Sequence, residues 1–433
     1  MIATRVALLV ALAMAAGSLA ARALATYAPV STAAGFAQPI AVATDWHAFG
    51  ALLLAALAVA TALAGWAYLR VLSLLRAGAA DDLSIGLVAC VSAAAIACAW
   101  FAPAIFSSDV YAYAAYGEMA RTGIAAYSHA VLPSGDPIFA AAIWQWGNPP
   151  PACVYGPAFV AIAGATLSAL APFGTLVQLD GLRALAGVAL VLSAIAAYAA
   201  YPGQRRERLA AAATIGLNPV AIWCAAEGHN DALALAVVLC GYALLRRAPA
   251  TGAALAALAG SIKAPGLIAA LPLVFSSQRA RFGAIAGIVV SLVVSYPLVR
   301  ALVTQTAPGG HYAPQASLQA AFGAYPILAA VVAVAACAFL VRKAMPHLRG
   351  REPEGWVYLA LALWVLVPNP YPWYGLWLVA AAALAPGTRV AAVALLLSLT
   401  SLLRYAPDAI AAPNEPAAIA LGMLAIVPFA LLR

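Results

Sequence analysis

The run Ser107-Ser108-Asp109-Val110-Tyr111-Ala112-Tyr113-Ala114-Ala115-Tyr116-Gly117-Glu118 places a carboxylate directly after a long apolar stretch. Ser108 is a good helix N-cap and Gly123 a suitable stop, so the spacing predicts a helix between them. Asp109 then occupies the first turn, where the helix dipole favours its ionised form. An ionised carboxylate facing a cleft can take a proton from an attacking hydroxyl. Tyr113 and Tyr116, four and seven residues on, share the Asp109 face, whereas Glu118, nine residues on, falls about 180° away. Asp109 and Glu118 are therefore not a same-face acid pair. The plainer alternative is an aspartate that only caps a helix.

Three other groups stand out against an Ala-rich background. Asn218-Pro219 and Glu227-Gly228-His229-Asn230-Asp231 flank a short apolar stretch. They could hold a sugar or a phosphate, or cap the helix starting near Asp231. No HxH or HxxH spacing supports a metal site there, and none is assigned, although dependence on a divalent ion stays open. Lys263 is one of only two lysines, and a cation at membrane depth is a functional-site hypothesis by default. The alternative is a lysine whose stem snorkels its charge to the interface. Pro368-Asn369-Pro370-Tyr371-Pro372-Trp373-Tyr374 breaks a helix with three prolines. Its aromatics suit an interfacial belt or a sugar-stacking surface. Arg404 and His311 read as single phosphate contacts near cavity mouths.

Elements that could position such groups follow from composition. Of 433 residues, 66% are hydrophobic and 8% charged, against about 25% charged in soluble domains. Mean hydropathy is +0.97. Soluble enzymes, disordered chains and secreted disulfide scaffolds are excluded, and the fold class is an all-α polytopic membrane protein. Apolar blocks recur at bilayer-crossing length, and lipid requires their backbones to be helical. Spans are expected near 5–25, 48–69, 84–106, 155–173, 182–201, 209–225, 230–245, 282–300, 322–342, 390–405 and 417–432. Broken hairpins are expected near 249–275 and 356–386. The first span could instead be a signal peptide, though its apolar run is long for one.

The net charge of +8 would suggest nucleic acid in a soluble protein, but here it labels topology through the positive-inside rule. Arg70/Arg76, Arg205/Arg206/Arg208, Arg246/Arg247, Arg279/Arg281 and Arg342/Lys343/Arg349/Arg351 read as cytoplasmic. Residues 107–151 then form the first large extracytoplasmic loop. One mismatch remains: if 155–173 and 182–201 both cross, Arg205–Arg208 lands on the wrong side, so either one of them is re-entrant or the run is divided at the wrong place. The 249–275 stretch has both ends on the basic side, which places Lys263-Ala264-Pro265-Gly266 at the turn of two half-depth helices. The six cysteines lack CxxC spacing and read as small buried residues, with a Cys153–Cys224 disulfide left open.

SDVYAYAAYG, GDPIF, VYGPAF, NPVAIWCAAEGHNDALAL, SIKAPGLIAALP and PYPWYGLW occur in that order. Together, over about Ser84 to Leu384, they resemble the integral-membrane GT-C glycosyltransferases. The similar branch is the polyprenyl-phosphate-mannose-dependent α-(1→6)-mannopyranosyltransferases. The resemblance implies a single GT-C-type bundle over 1–433, of about 11–14 transmembrane or re-entrant helices, with interfacial helices in the large loop. It implies Asp109 as general base and an inverting transfer of a hexose from a polyprenyl-phosphate donor. The acceptor would be a glycan or lipid-linked molecule outside the plasma membrane. No GxGxxG is present, in keeping with a lipid-linked rather than a nucleotide-linked donor. The expected partners are the donor, the acceptor and the lipid bilayer, with no nucleic acid and no cofactor. Asp109 heads the candidate residues. Lys263, His229, Arg404 and His311 are the donor-phosphate candidates. Tyr113, Tyr116, Glu118, Asn230, Asp231, Tyr371, Trp373 and Tyr374 are the sugar or acceptor candidates. The rival reading is a transporter or glycolipid flippase using the same cavity, since broken helices suit it equally. No inverted repeat is visible to support it, and the large acidic loop favours the transferase.

Overall fold

The computed structural model describes residues 1–27, 48–102, 106–128, 130–305, 326–367, 371–405 and 423–432. Among them every regular element is a helix. Four helices are long and apolar enough to cross a membrane. They belong to α1 (Ile2–Tyr27), α2 (Ala48–Arg76), α7 (Thr175–Ala200) and α15 (Pro326–Gly350). The remaining apolar helices are shorter. They include α3 (Ile85–Trp100), α6 (Pro157–Leu170), α10 (Asn230–Leu244), α16 (Glu354–Leu366) and α18 (Arg389–Thr400). Proline and glycine cut these elements below the about 20 residues of a full crossing.

The expected breaks are present. The 249–275 stretch is α11 (Pro249–Leu258), a 3-10 turn over Ala259–Ser261, then α12 (Pro265–Val274). The 356–386 stretch divides into α16 and α17 (Gly375–Ala383), with a 3-10 turn over Pro372–Tyr374 between them. Five expected spans are corrected, the last of them, 155–173, below. The 209–225 block is two helices, α8 (Arg205–Gly216) and α9 (Pro219–Ala226), bent by 48°. Pro219 lacks the N–H that would continue α8, and the Asn218 side chain accepts from the N–H groups of Val220 and Ala221 to start α9 afresh. The 282–300 block is α13 (Gln278–Val294) followed by α14 (Tyr296–Gln305), and the 322–342 block extends to Gly350. Of the 417–432 block, 417–422 lie outside the described residues, and Leu424–Leu432 is a 3-10 helix containing Pro428.

The bundle has a basic end and an opposite end. At the basic end Arg205 Nη2 donates to Leu83 O at 2.7 Å and Arg281 Nε to Val274 O at 2.8 Å. Phe275 packs with Leu348 there. At the opposite end Arg183, near the start of α7, ties three elements together. Its Nε donates to Ala226 O at 2.7 Å, and its Nη2 donates to Trp100 O and Ala102 O at 3.0 Å each. Gln178 Nε2 donates to Leu167 O at 2.8 Å, so α6 ends where α7 begins. The other end of α6 lies against the break between α11 and α12, where Gly156 N–H donates to Ile262 O at 2.9 Å. Helix α6 thus doubles back to the end it came from, and 155–173 is not a crossing span. That removes the mismatch at Arg205–Arg208, because between 155 and 201 only α7 connects the two ends.

The 107–151 segment carries α4 (Asp109–Thr122) and α5 (Pro137–Trp146). Helix α4 lies on α6 so closely that a Cβ on Gly117 would stand 2.9 Å from the backbone of Ala163 and Gly164. Gly123 closes α4 at φ 77°, the left-handed stop expected of it. By contrast α15 presents Ile327, Val331, Val334 and Phe339 outward. The cysteines are free, so there is no Cys153–Cys224 bond.

Candidate active site

Asp109 opens α4, but its cap differs from expectation. Ser108 makes no side-chain cap bond. Ser107 Oγ instead accepts from Asp109 N–H at 3.2 Å. One carboxylate oxygen, Oδ2, receives the hydroxyls of Tyr113 at 3.3 Å and Tyr155 at 3.5 Å. Among the described residues Oδ1 takes no bond. The side chain keeps 23% of its exposure while its neighbour His229 keeps 1%. Of the two, Asp109 is thus the one that an incoming hydroxyl can reach.

Burial pushes the Asp109 carboxyl above its ordinary range, and the Lys263 charge and the two phenols pull the other way. His229 Nδ1 lies 3.9 Å from Asp109 Oδ2 and 3.3 Å from the Tyr113 hydroxyl. Burial, reinforced by the Lys263 charge, holds the His229 imidazole well below its usual range, so it is neutral at neutral pH. Its ring stacks on Trp373 at 4.5 Å, and Trp373 stacks on Tyr371 at 4.4 Å.

Lys263, at the break between α11 and α12, is 6% exposed and pairs with Asp231 Oδ2. The other Asp231 oxygen accepts from Trp377 Nε1 at 2.7 Å. The Lys263 ammonium also lies over the rings of Tyr155, at 5.6 Å, and Tyr374, at 5.5 Å. Gly156 makes this convergence possible. A Cβ there would stand 1.9 Å from Ser261 O, so only glycine lets the Tyr155 segment dock on the Lys263 turn.

Most of the expected residues therefore meet. Asp109, Tyr113, His229, Asn230, Asp231, Lys263, Tyr371, Trp373 and Tyr374 converge from α4, the start of α10, the α11–α12 break and the turn before α17. Tyr116 sits beside them, donating to Pro151 O at 3.0 Å and facing Tyr155 at 6.0 Å. Glu118 does not join. It is fully buried and accepts from Arg121 Nε at 2.8 Å, on the far side of α4 as the helical period required. Lys263 and Asp231, expected in separate roles, neutralise one another. Arg404 belongs to the 3-10 helix Ser401–Tyr405, and its side chain lies outside the described residues, as do His311 and Pro368-Asn369-Pro370. Sequence reasoning missed Tyr155 and Trp377. Both lie in motifs that stood out, VYGPAF and PYPWYGLW, but nothing local shows that a tyrosine will reach Asp109 or an indole Asp231.

A family model described as alpha-(1->6)-mannopyranosyltransferase, N-terminal domain, matches residues 4–279. No curated protein and no solved structure matches the chain.

Proposed function

We propose, from the premise that the chain belongs to the alpha-(1→6)-mannopyranosyltransferase family, that it transfers a hexose from a polyprenyl-phosphate donor with inversion. The acceptor is a glycan or lipid-linked sugar on the extracytoplasmic side of the plasma membrane. The observation that carries this reading is the Asp109 carboxylate. Two phenols hold one oxygen, the other is unengaged among the described residues, and the side chain is partly exposed.

In this reading Asp109 accepts the acceptor's proton as that hydroxyl attacks the anomeric carbon, and the bond to the phosphate oxygen breaks. Inversion in a single displacement needs one base, so Glu118 has no part in it. The leaving phosphate gains charge, and a fixed cation stabilises that charge more in the transition state than in the ground state. Lys263 is the cation whose charge Asp109 feels most, and it fills this role while shared with Asp231. Arg404 and His311 are further phosphate contacts. The basic end faces the cytoplasm, which puts Asp109 at the outer leaflet, where a prenyl chain lies in the bilayer and its head group reaches α4.

The test is transfer by purified protein from a polyprenyl-phosphate hexose to a lipid-linked sugar. Asp109→Asn should lose about 10²- to 10⁴-fold in rate with an unchanged thermal transition. Wild-type rates in that variant would overturn the assignment of the base. Failure of the wild-type chain to move any hexose would overturn the reaction.

A further inference from the structure

Among the described residues seven buried side-chain nitrogen and oxygen atoms have no hydrogen-bond partner, and three of them belong to two consecutive residues. These are His229 Nε2, Asn230 Nδ2 and Asn230 Oδ1. His229 is 1% exposed and Asn230 2%. Each such atom costs about 1–3 kcal/mol when left unpaired, so folded chains seldom leave three together without a use. The two residues form the N-cap and first position of α10, and the His229 ring lies 3.9 Å from the proposed base.

We infer that His229 and Asn230 form a subsite for the hydroxyl groups of a sugar, an assignment that rests on the transferase reading above. The donor–acceptor chemistry chooses the ligand. The Asn230 amide presents a donor and an acceptor side by side, and a neutral imidazole nitrogen presents one or the other. A phosphate offers acceptors alone, so it would leave Asn230 Oδ1 unpaired and facing negative charge. A pair of adjacent sugar hydroxyls donates and accepts at once and satisfies all three atoms. His229 thereby serves the sugar rather than the phosphate. The hydroxyls belong to either the transferred sugar or the accepting one, and the experiment separates the two.

The decisive substitution is Asn230→Leu, which replaces the amide by an apolar group of similar size. Removing unpaired buried atoms leaves the thermal transition of the ligand-free protein unchanged or raised, whereas an asparagine that braces the fold would give a lower one. Transfer is then measured with the full donor and acceptor and with sets of each lacking one hydroxyl. With the full substrates Asn230→Leu should lose about 10- to 100-fold in kcat/KM, the worth of one or two hydrogen bonds. With the analogue lacking the paired hydroxyl the wild type should fall as far, and the variant should lose no more than about threefold beyond it. If that analogue is a donor, the subsite holds the transferred sugar; if an acceptor, the accepting one. A variant that loses equally with every analogue, or that unfolds at lower temperature, would overturn the subsite while leaving Asp109 as base. Binding of methyl α-mannoside, with inorganic phosphate as the contrasting probe, gives a readout free of turnover. Wild type should bind the sugar more tightly than Asn230→Leu does, and phosphate binding should be the same in both; the reverse would overturn the assignment.

Discussion

At the scale of single residues the site is a balance of opposed effects on one carboxylate. Burial raises the Asp109 pKa and the Lys263 charge lowers it, with the Tyr113 and Tyr155 hydroxyls lowering it further. As the proposed base, Asp109 works deprotonated, so transfer should be lost as pH falls through that raised pKa. The acid limb of kcat/KM is therefore expected above the ordinary aspartate value of about 3.9. Tyr113→Phe removes a donor to the carboxylate and should move that limb to still higher pH, read directly from rate profiles of the two proteins. The Lys263–Asp231 pair makes a second prediction. Lys263→Met leaves Asp231 buried and unpaired and should cost about 3–5 kcal/mol. Adding Asp231→Asn should restore part of it, measured by thermal unfolding in detergent. Asp109 and its shared face with Tyr113 were legible in the sequence, because helical periodicity reaches four residues. The pairing of Lys263 with Asp231, 32 residues apart, was not, since a loop closure of that length leaves no local pattern. Trp377 on Asp231, 146 residues apart, was invisible for the same reason.

Elements deliver these residues through breaks rather than through long helices. Asn218-Pro219 ends α8 and starts α9, and the Asn218 amide also reaches Ser398 Oγ on α18 at 3.1 Å. Asn218→Ala removes the cap and that link, so a loss of about 1–2 kcal/mol is expected in denaturation of the purified protein. Gly156 is the stricter case. Because a Cβ would fall 1.9 Å from Ser261 O, Gly156→Ala must separate the Tyr155 segment from the Lys263 turn. It should cost about 1–3 kcal/mol and also depress transfer, whereas an alanine at Gly86, whose Cβ would meet nothing nearer than 3.9 Å, should leave transfer unaffected. The hairpin break at Lys263 could be read from matching basic ends and a central Pro-Gly. The bend at Asn218 was run over in the sequence as one span, because seven apolar residues follow Pro219 and hydropathy does not register a missing N–H.

For the molecule as a whole, the charge asymmetry is the legible feature and the path of the chain near α6 is not. Basic residues collect at one end, but length and hydropathy alone make α6 look like a crossing segment. Only the bonds that set its C-terminus beside the start of α7 show that it returns. The proposed orientation predicts the outcome of thiol labelling in a cysteine-free background. Cysteine at Ser134 should react with a membrane-impermeant reagent on intact cells, and cysteine at Arg206 only after permeabilisation.

The contact between Gly156 and the Ser261 carbonyl has a consequence for how such a chain diversifies. The Tyr155-to-Lys263 spacing is set by main chain against main chain, a dimension that no exchange of flanking side chains alters. Substitutions can accumulate on the rim, at Tyr371 or along 130–144, and change which sugars are accepted while the floor keeps its measure. Inheritance of the chemistry and drift of the specificity are thus assigned to different parts of the same backbone.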